Sequence, residues 1–211
     1  MKSRFAVLLL LLLVPLLAGA VEPEPVAGSD YVEIPGGKPY APLDGKVEVV
    51  EVFGYTCIHC AHFQPALGAW QKQQPSWVRF TPLPAAFGGY WMPYARAYYA
   101  AAKLRVLGKT HEAMFKALHE TGSLPIQNAS DEEIAAFYAG YGADPKAFVA
   151  AMRSPATDLL LDRSRDFALA TGIEGTPTIV VNGKYRVTGK SFDDTLRIAD
   201  YLVARERAAR K

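Results

Sequence analysis

The chain has 211 residues, of which 23 are Lys or Arg and 21 are Asp or Glu, and half are hydrophobic. This near-balance of charge argues against nucleic acid or an anionic membrane surface as a partner. The only cysteines are Cys57 and Cys60, so an internal framework of structural disulfides is excluded and the pair has to be explained by itself.

Lys2 and Arg4 precede an apolar stretch from Phe5 to Leu17, interrupted by Pro15, and Ala18-Gly19-Ala20 then supplies small residues. This order predicts a secretory signal at residues 1–20, cleaved after Ala20. The apolar stretch is too short and too early for a permanent spanning helix. No cysteine stands at the cleavage site, so a lipid anchor is not expected. Removal of Lys2 and Arg4 leaves 21 basic and 21 acidic residues. The mature chain of about 190 residues has no second long apolar run, and it is ample for one packed core with a second unit inserted in it.

From 21 to 29 the chain carries Pro and Glu and is expected to be flexible. Tyr31 to Ile34 alternates as a short edge strand, and Pro35-Gly36-Gly37 and Pro42 to Gly45 are turns. Val47 to Phe53 is the strongest strand candidate. A helical pattern runs from Ile58 to Gln73. Pro65 inside it removes a backbone donor and predicts a kink rather than an end, because apolar periodicity resumes at Leu67 and Trp70. Trp77 to Leu83 reads as a second strand, parallel to the first because a helix intervenes.

Composition then turns alanine-rich, from about Met92 to Ala170. Ser130-Asp131-Glu132-Glu133 is a capping box, and Asp144-Pro145 is a cap followed by proline at the first helical position. Four or five helices are predicted here. Thr178 to Val181, Asn182-Gly183 and Lys184 to Val187 then spell a hairpin with a type I′ turn, and an amphipathic helix closes the chain from Phe192 to about Arg205.

The order βαβ, helical block, ββα predicts an α/β thioredoxin fold with an all-helical insertion. Its first part is expected at 21–88, the insertion at 89–170 and the second part at 171–211.

Disulfide exchange requires a thiolate, an accessible sulfur and a nearby second thiol. Cys57 and Cys60 at a helix start supply all three. First-turn N–H groups and the helix dipole favour negative charge on Cys57, Cys60 sits behind it one turn on, and His59 adds a positive charge or a donor. A dithiol that cycles between two redox states therefore ranks above a structural disulfide, which would close a very short loop, and above zinc, for which His62 is a third ligand without an evident fourth. Haem attachment is disfavoured because Ala61, not histidine, follows Cys60. Thr176-Pro177 lies in the loop before a strand, and in this layout that loop faces the cysteines. A cis bond is expected there, with Thr176 offering its N–H and C=O to an extended substrate chain. Glu51 lies deep in an apolar strand, where a carboxyl is costly unless neutral or paired, and a buried carboxyl near Cys60 is suited to shuttling a proton. Its rival reading is an ordinary ion pair. Glu48, near the strand start, is expected to reach solvent. His111 and His119 are read as solvated, and Tyr90, Trp91, Tyr94, Tyr98 and Tyr99 as core and interdomain contacts. No metal and no cofactor is expected.

Glu51-Val52-Phe53-Gly54-Tyr55-Thr56-Cys57-Ile58-His59-Cys60 and Gly175-Thr176-Pro177-Thr178-Ile179-Val180-Val181-Asn182-Gly183 resemble the DsbA family of bacterial periplasmic thiol:disulfide oxidoreductases. The resemblance implies a periplasmic enzyme that donates its Cys57–Cys60 disulfide to newly secreted, reduced proteins and is reoxidised by a DsbB-type membrane quinone oxidoreductase. It implies that Cys57 exchanges, Cys60 resolves, His59 stabilises the thiolate, Glu51 relays protons and Thr176-Pro177 binds substrate. Ile58 stands where the best-known members have proline and Thr176 where they have valine, both at positions that tune redox potential. Too few residues precede the first strand for the dimerisation domain of known disulfide isomerases, so a monomer is expected. The alternatives are an isomerase or reductase on the same fold, and a secreted peptide-binding or chaperone module without turnover.

Overall fold

The computed structural model describes residues 23–209, so the signal sequence expected at 1–20 lies outside the described residues. At the centre is β2 (Val47–Phe53), every residue of which is buried. Its valines and phenylalanine suit a strand covered on both faces, because β-branched and aromatic side chains fill a pleated surface well. β2 pairs in parallel with β3 (Val78–Pro84) and antiparallel with β4 (Thr178–Val181). β4 turns through Asn182-Gly183 into β5 (Tyr185–Val187), and β1 (Tyr31–Glu33) lies along β5, giving the order β1-β5-β4-β2-β3. Asn182 and Gly183 have φ of 50° and 66°, as a type I′ turn requires. A Cβ on Gly183 would come 1.8 Å from the Lys38 carbonyl oxygen, so glycine is also demanded by the neighbouring backbone.

α1 (Ile58–Gln73) and α7 (Phe192–Ala208) cover one face of the sheet. Phe63, Leu67 and Ile198, Leu202 bury there against Val49 and Val181. The helix α1 continues through Pro65, as the resumed periodicity requires. On the other face Val50, Val52 and Val180 meet Leu83 and Phe167, the latter from α6 (Pro155–Ala170).

Between β3 and β4 a 3-10 turn at Gly89–Trp91 leads into α2 (Met92–Lys103), α3 (Leu107–His119), α4 (Asp131–Ala139), α5 (Pro145–Met152) and α6. The predicted caps are made. Ser130 and Glu133 form the reciprocal capping box, and the Asp144 carboxylate accepts from the Ala147 N–H ahead of α5. The core of these helices, around Tyr94, Met114, Tyr138 and Phe148, runs without a break into Phe53, Tyr55 and Cys60. Helical block and cysteine pair thus share one apolar cluster.

Two expectations fail here. The 23–29 segment is tied down rather than loose: the Gly28 N–H donates to the Tyr31 carbonyl at 2.8 Å and the Thr188 hydroxyl to the Ser29 carbonyl at 2.9 Å. Among the aromatics assigned to the core, Tyr94, Tyr98 and Tyr99 are buried, but Tyr90 is 43 % exposed on the short turn before α2.

Candidate active site

β2 ends at Phe53, and Gly54 to Cys57 forms a turn closed by the Cys57 N–H donating to the Gly54 carbonyl at 3.1 Å. Gly54 has no alternative, because a Cβ there would sit 1.9 Å from the Trp91 ring. The turn makes Cys57 the N-cap of α1. An N-cap side chain normally accepts from the second or third N–H of its helix, here His59 and Cys60. As a thiol, Cys57 makes no such cap bond. As a thiolate it is the capping anion. Both cysteines are free thiols; Cys57 is half-buried and Cys60 is fully buried.

The two sulfurs have opposite acidities. Cys57 is lowered to about 5, chiefly by the hydrogen bond from the Cys60 thiol, then by the Thr176 side chain and the backbone N–H groups of Cys60 and His59; partial burial opposes this. Burial drives Cys60 far above the ordinary thiol range, reinforced by hydrogen bonding to Cys57 and by the charge of Glu51. Glu51 is itself raised to about 8 because it is wholly buried, against a lowering hydrogen bond from Gln64. The Gln64 amide donates to Glu51 Oε1 at 3.3 Å, and Oε2 has no partner. Among the described residues no cation pairs with Glu51.

Thr176, 119 residues from Cys57, is brought against it: the Cys57 Sγ–H donates to the Thr176 carbonyl at 3.4 Å. The Thr176-Pro177 bond is cis, as expected. A cleft of about 250 Å³ opens beside this contact, lined by His59, Phe63, Thr176, Pro177, Lys190 and Phe192. The His59 imidazole is exposed in that cleft and makes no hydrogen bond to Cys57; the part of His59 that acts on the sulfur is its backbone N–H. Among the described residues no three His, Cys, Asp or Glu side chains gather as a metal site.

This geometry is that of a thioredoxin-type dithiol, and comparison with known proteins agrees. The family model of the DSBA-like thioredoxin domain matches residues 48–199. The thiol:disulfide interchange protein DsbA of Azotobacter vinelandii is 40 % identical over 185 residues, 86 % of this chain and 85 % of that protein. The chain belongs to the DsbA family. The crystal structure of the oxidoreductase DsbA from Xylella fastidiosa superposes with a TM-score of 0.86 at 59 % identity, covering 87 % of this chain and 98 % of that one. That of Pseudomonas aeruginosa DsbA gives 0.80 at 37 %, over 87 % and 95 %. As a DsbA-family protein, the chain is a thiol:disulfide oxidoreductase that catalyses disulfide exchange on a thioredoxin fold. Among the described residues, no helix is long and apolar enough to cross a membrane.

Around this DsbA-type centre lie groups to which the sequence reading gave no role at the site. His111 and His119 are not merely solvated side chains: both are partly buried and bound to Tyr55. The His111 Nδ1 is 2.8 Å from the Tyr55 hydroxyl, and burial lowers it to about 4. His119 Nε2 is 2.7 Å from the Tyr55 carbonyl oxygen. The available signal was their spacing with Phe115: three residues at i, i+4 and i+8 share one helix stripe. Gln64, four residues after Cys60, was also unmarked, and so was Thr56, whose hydroxyl is buried without a partner. Glu48 does not reach solvent. It is fully buried and paired with Arg79 at 2.9 Å.

Proposed function

We propose that this protein is a disulfide donor of the periplasm, transferring the Cys57–Cys60 disulfide to newly secreted, reduced polypeptides. The observation that carries this reading is the unequal placement of the two sulfurs: Cys57 is half-exposed at the N-terminus of α1 against the Thr176 carbonyl and Cys60 is buried behind it, which makes Cys57 the more acidic. A Cys57 thiolate that is stable at neutral pH stabilises the reduced protein, and what stabilises the reduced form makes the disulfide a stronger oxidant.

In the proposed cycle a substrate thiolate attacks Cys57 Sγ. The Cys57–Cys60 bond breaks, a substrate–Cys57 disulfide forms, and Cys60 leaves with the electron pair. Buried Cys60 is a poor thiolate, so it takes a proton. Glu51, neutral below about 8, is the donor we assign. A second substrate thiolate then attacks the substrate sulfur of the mixed disulfide, forming the substrate disulfide and releasing Cys57 as the better leaving group. Two electrons pass to the cysteine pair. Thr176-Pro177 borders the cleft in which the substrate chain adds its backbone to the Thr176 N–H and C=O. His59 supports the thiolate through its N–H and lines the same cleft. Reoxidation falls to a DsbB-type quinone oxidoreductase in the membrane. The protein is proposed to act as a monomer, exported by its signal sequence.

The test is the equilibrium of the Cys57–Cys60 pair with reduced and oxidised glutathione, read by tryptophan fluorescence and by trapping of free thiols. A potential well above the glutathione couple is expected. A potential close to that of thioredoxin sinks the donor reading and leaves a reductase or isomerase held reduced by its partner.

A further inference from the structure

Helix α3 does more than pack against α1 and α2. His111, Phe115 and His119 fall on one stripe at four-residue spacing, and all three converge on Tyr55. The Phe115 ring meets the Tyr55 ring edge-on at 5.0 Å. His111 takes the Tyr55 hydroxyl. His119, stacked on Phe115 with ring centroids 6.5 Å apart, takes the Tyr55 main-chain carbonyl. A carbonyl only accepts, so the proton of this bond belongs to His119 Nε2.

Tyr55 and Thr56 are the two central residues of the turn whose closing bond runs from the Cys57 N–H to the Gly54 carbonyl. The carbonyl between them has no ladder or helix partner. A buried carbonyl left unpaired costs free energy and is relieved by rotation of its peptide plane. Rotation of the Tyr55–Thr56 plane shifts Thr56, and with it Cys57 at the cap of α1. The separation of the Cys57 sulfur from the N–H groups of His59 and Cys60, and from the Thr176 carbonyl, thus depends on a plane that His119 holds.

We propose that His119 is a positioning residue for disulfide exchange: its Nε2–H fixes the Tyr55 carbonyl, and so the turn that delivers Cys57 to the start of α1. His119 touches neither sulfur and acts only through Tyr55. The inference rests on the reading of Cys57 as the exchanging thiol.

Three variants test it. His119→Leu fills the space without a donor. His119→Gln retains an N–H donor. Ser130→Ala removes the α4 cap, far along the chain from the turn, at a cost of about 1 kcal/mol, and calibrates a plain loss of stability. Two quantities are read on each: the ionisation of Cys57 by thiolate absorbance, and the equilibrium constant with glutathione. Losing one hydrogen bond of ordinary net worth corresponds to about a fivefold change in an equilibrium constant. His119→Leu is expected to raise the Cys57 titration and to weaken the oxidant by about that factor. His119→Gln is expected to recover most of both, and Ser130→Ala to lower the melting temperature while leaving both unchanged. The proposal is overturned if His119→Leu melts earlier with the titration and equilibrium of wild type, or if neither His119 variant folds, since either result makes His119 a structural residue only. If wild-type Cys57 itself fails to titrate low, the reading of Cys57 falls first, before any His119 variant is measured.

Discussion

Glu48 and Glu51 are both fully buried in β2, three residues apart, and strand alternation sends them to opposite faces. Their surroundings differ in every respect. Glu48 accepts from Arg79 at 2.9 Å, from the Tyr40 N–H at 2.6 Å and from the Ala41 N–H at 3.2 Å. The strand there is locked further: the Glu48 N–H donates to Asn182 Oδ1 at 2.8 Å, and the Asn182 amide donates to Glu206 at 2.6 Å. Glu51 has one long bond from Gln64 and one oxygen with nothing. A buried carboxylate is tolerable when its charge is met, and otherwise the group stays neutral. One sheet thus contains both solutions. The satisfied carboxylate ties the Tyr40–Ala41 loop to the strand start. The unsatisfied one sits at the end that carries the cysteines, where a neutral, proton-bearing carboxyl has a use.

The largest expected effect comes from breaking the satisfied end. Arg79→Met leaves a charged, buried Glu48 with only two backbone donors, and is expected to cost about 3 kcal/mol, the lower part of the range for orphaning a buried charge, because Arg79 is itself 25 % exposed. Urea denaturation at neutral pH measures it. A loss below about 1 kcal/mol, the worth of a surface pair, would mean that the backbone donors alone hold Glu48 and that the contrast between the two ends is overstated.

The same change of chemistry at the other end has the opposite sign. Glu51 titrates near 4.5 when unfolded and at about 8 when folded. Its folded pKa is raised, so its contribution to stability is fully present below pH 4.5 and is lost as pH rises towards 8. Glu51→Gln, which cannot ionise, is therefore expected to match wild type at pH 4 and to be more stable at pH 7, by on the order of 2 kcal/mol. It should also exchange disulfides more slowly, because Cys60 loses its proton donor. Equal stability across the whole range from pH 4 to 8 would show that Glu51 is solvated in solution, and would end its role as a neutral relay.

The legibility of these features in the sequence tracks how local their causes are. The strand Val47–Phe53, the helix from Ile58, the Asn182-Gly183 turn and the Ser130 cap are each set by residues within a few positions of one another, and each was readable. Cys57 and Cys60 were readable because a strand, a turn and a helix start surround them in sequence. Glu51 was readable as a misfit in an apolar run. Glu48 was not, since what satisfies it comes from the Tyr40–Ala41 loop and from Arg79, and position along a strand does not reveal such partners. His111 and His119 look like the polar edge of an amphipathic helix until Tyr55, 56 and 64 residues away, is seen to receive both.

The smallest expected effect concerns the single donor that Glu51 has. The Gln64 hydrogen bond lowers the Glu51 pKa, because it favours the charged carboxylate over the neutral acid. Gln64→Met keeps the length of the side chain on α1 and removes the donor. The Glu51 pKa then rises above 8, and the window over which stability falls with pH, which opens at 4.5 in both proteins, extends to higher pH. At pH 4 the two proteins should differ little. At pH 9, where wild-type Glu51 is ionised, the variant should be less stable by about 1 kcal/mol, the net worth of one hydrogen bond. Thermal melts at the two pH values supply the comparison, and only their difference matters, because a packing change on α1 shifts both alike. An equal shift at pH 4 and pH 9 would mean that Gln64 packs against Glu51 without influencing its charge, and that the lack of a paired cation and backbone donors alone sets this equally buried carboxyl apart from Glu48.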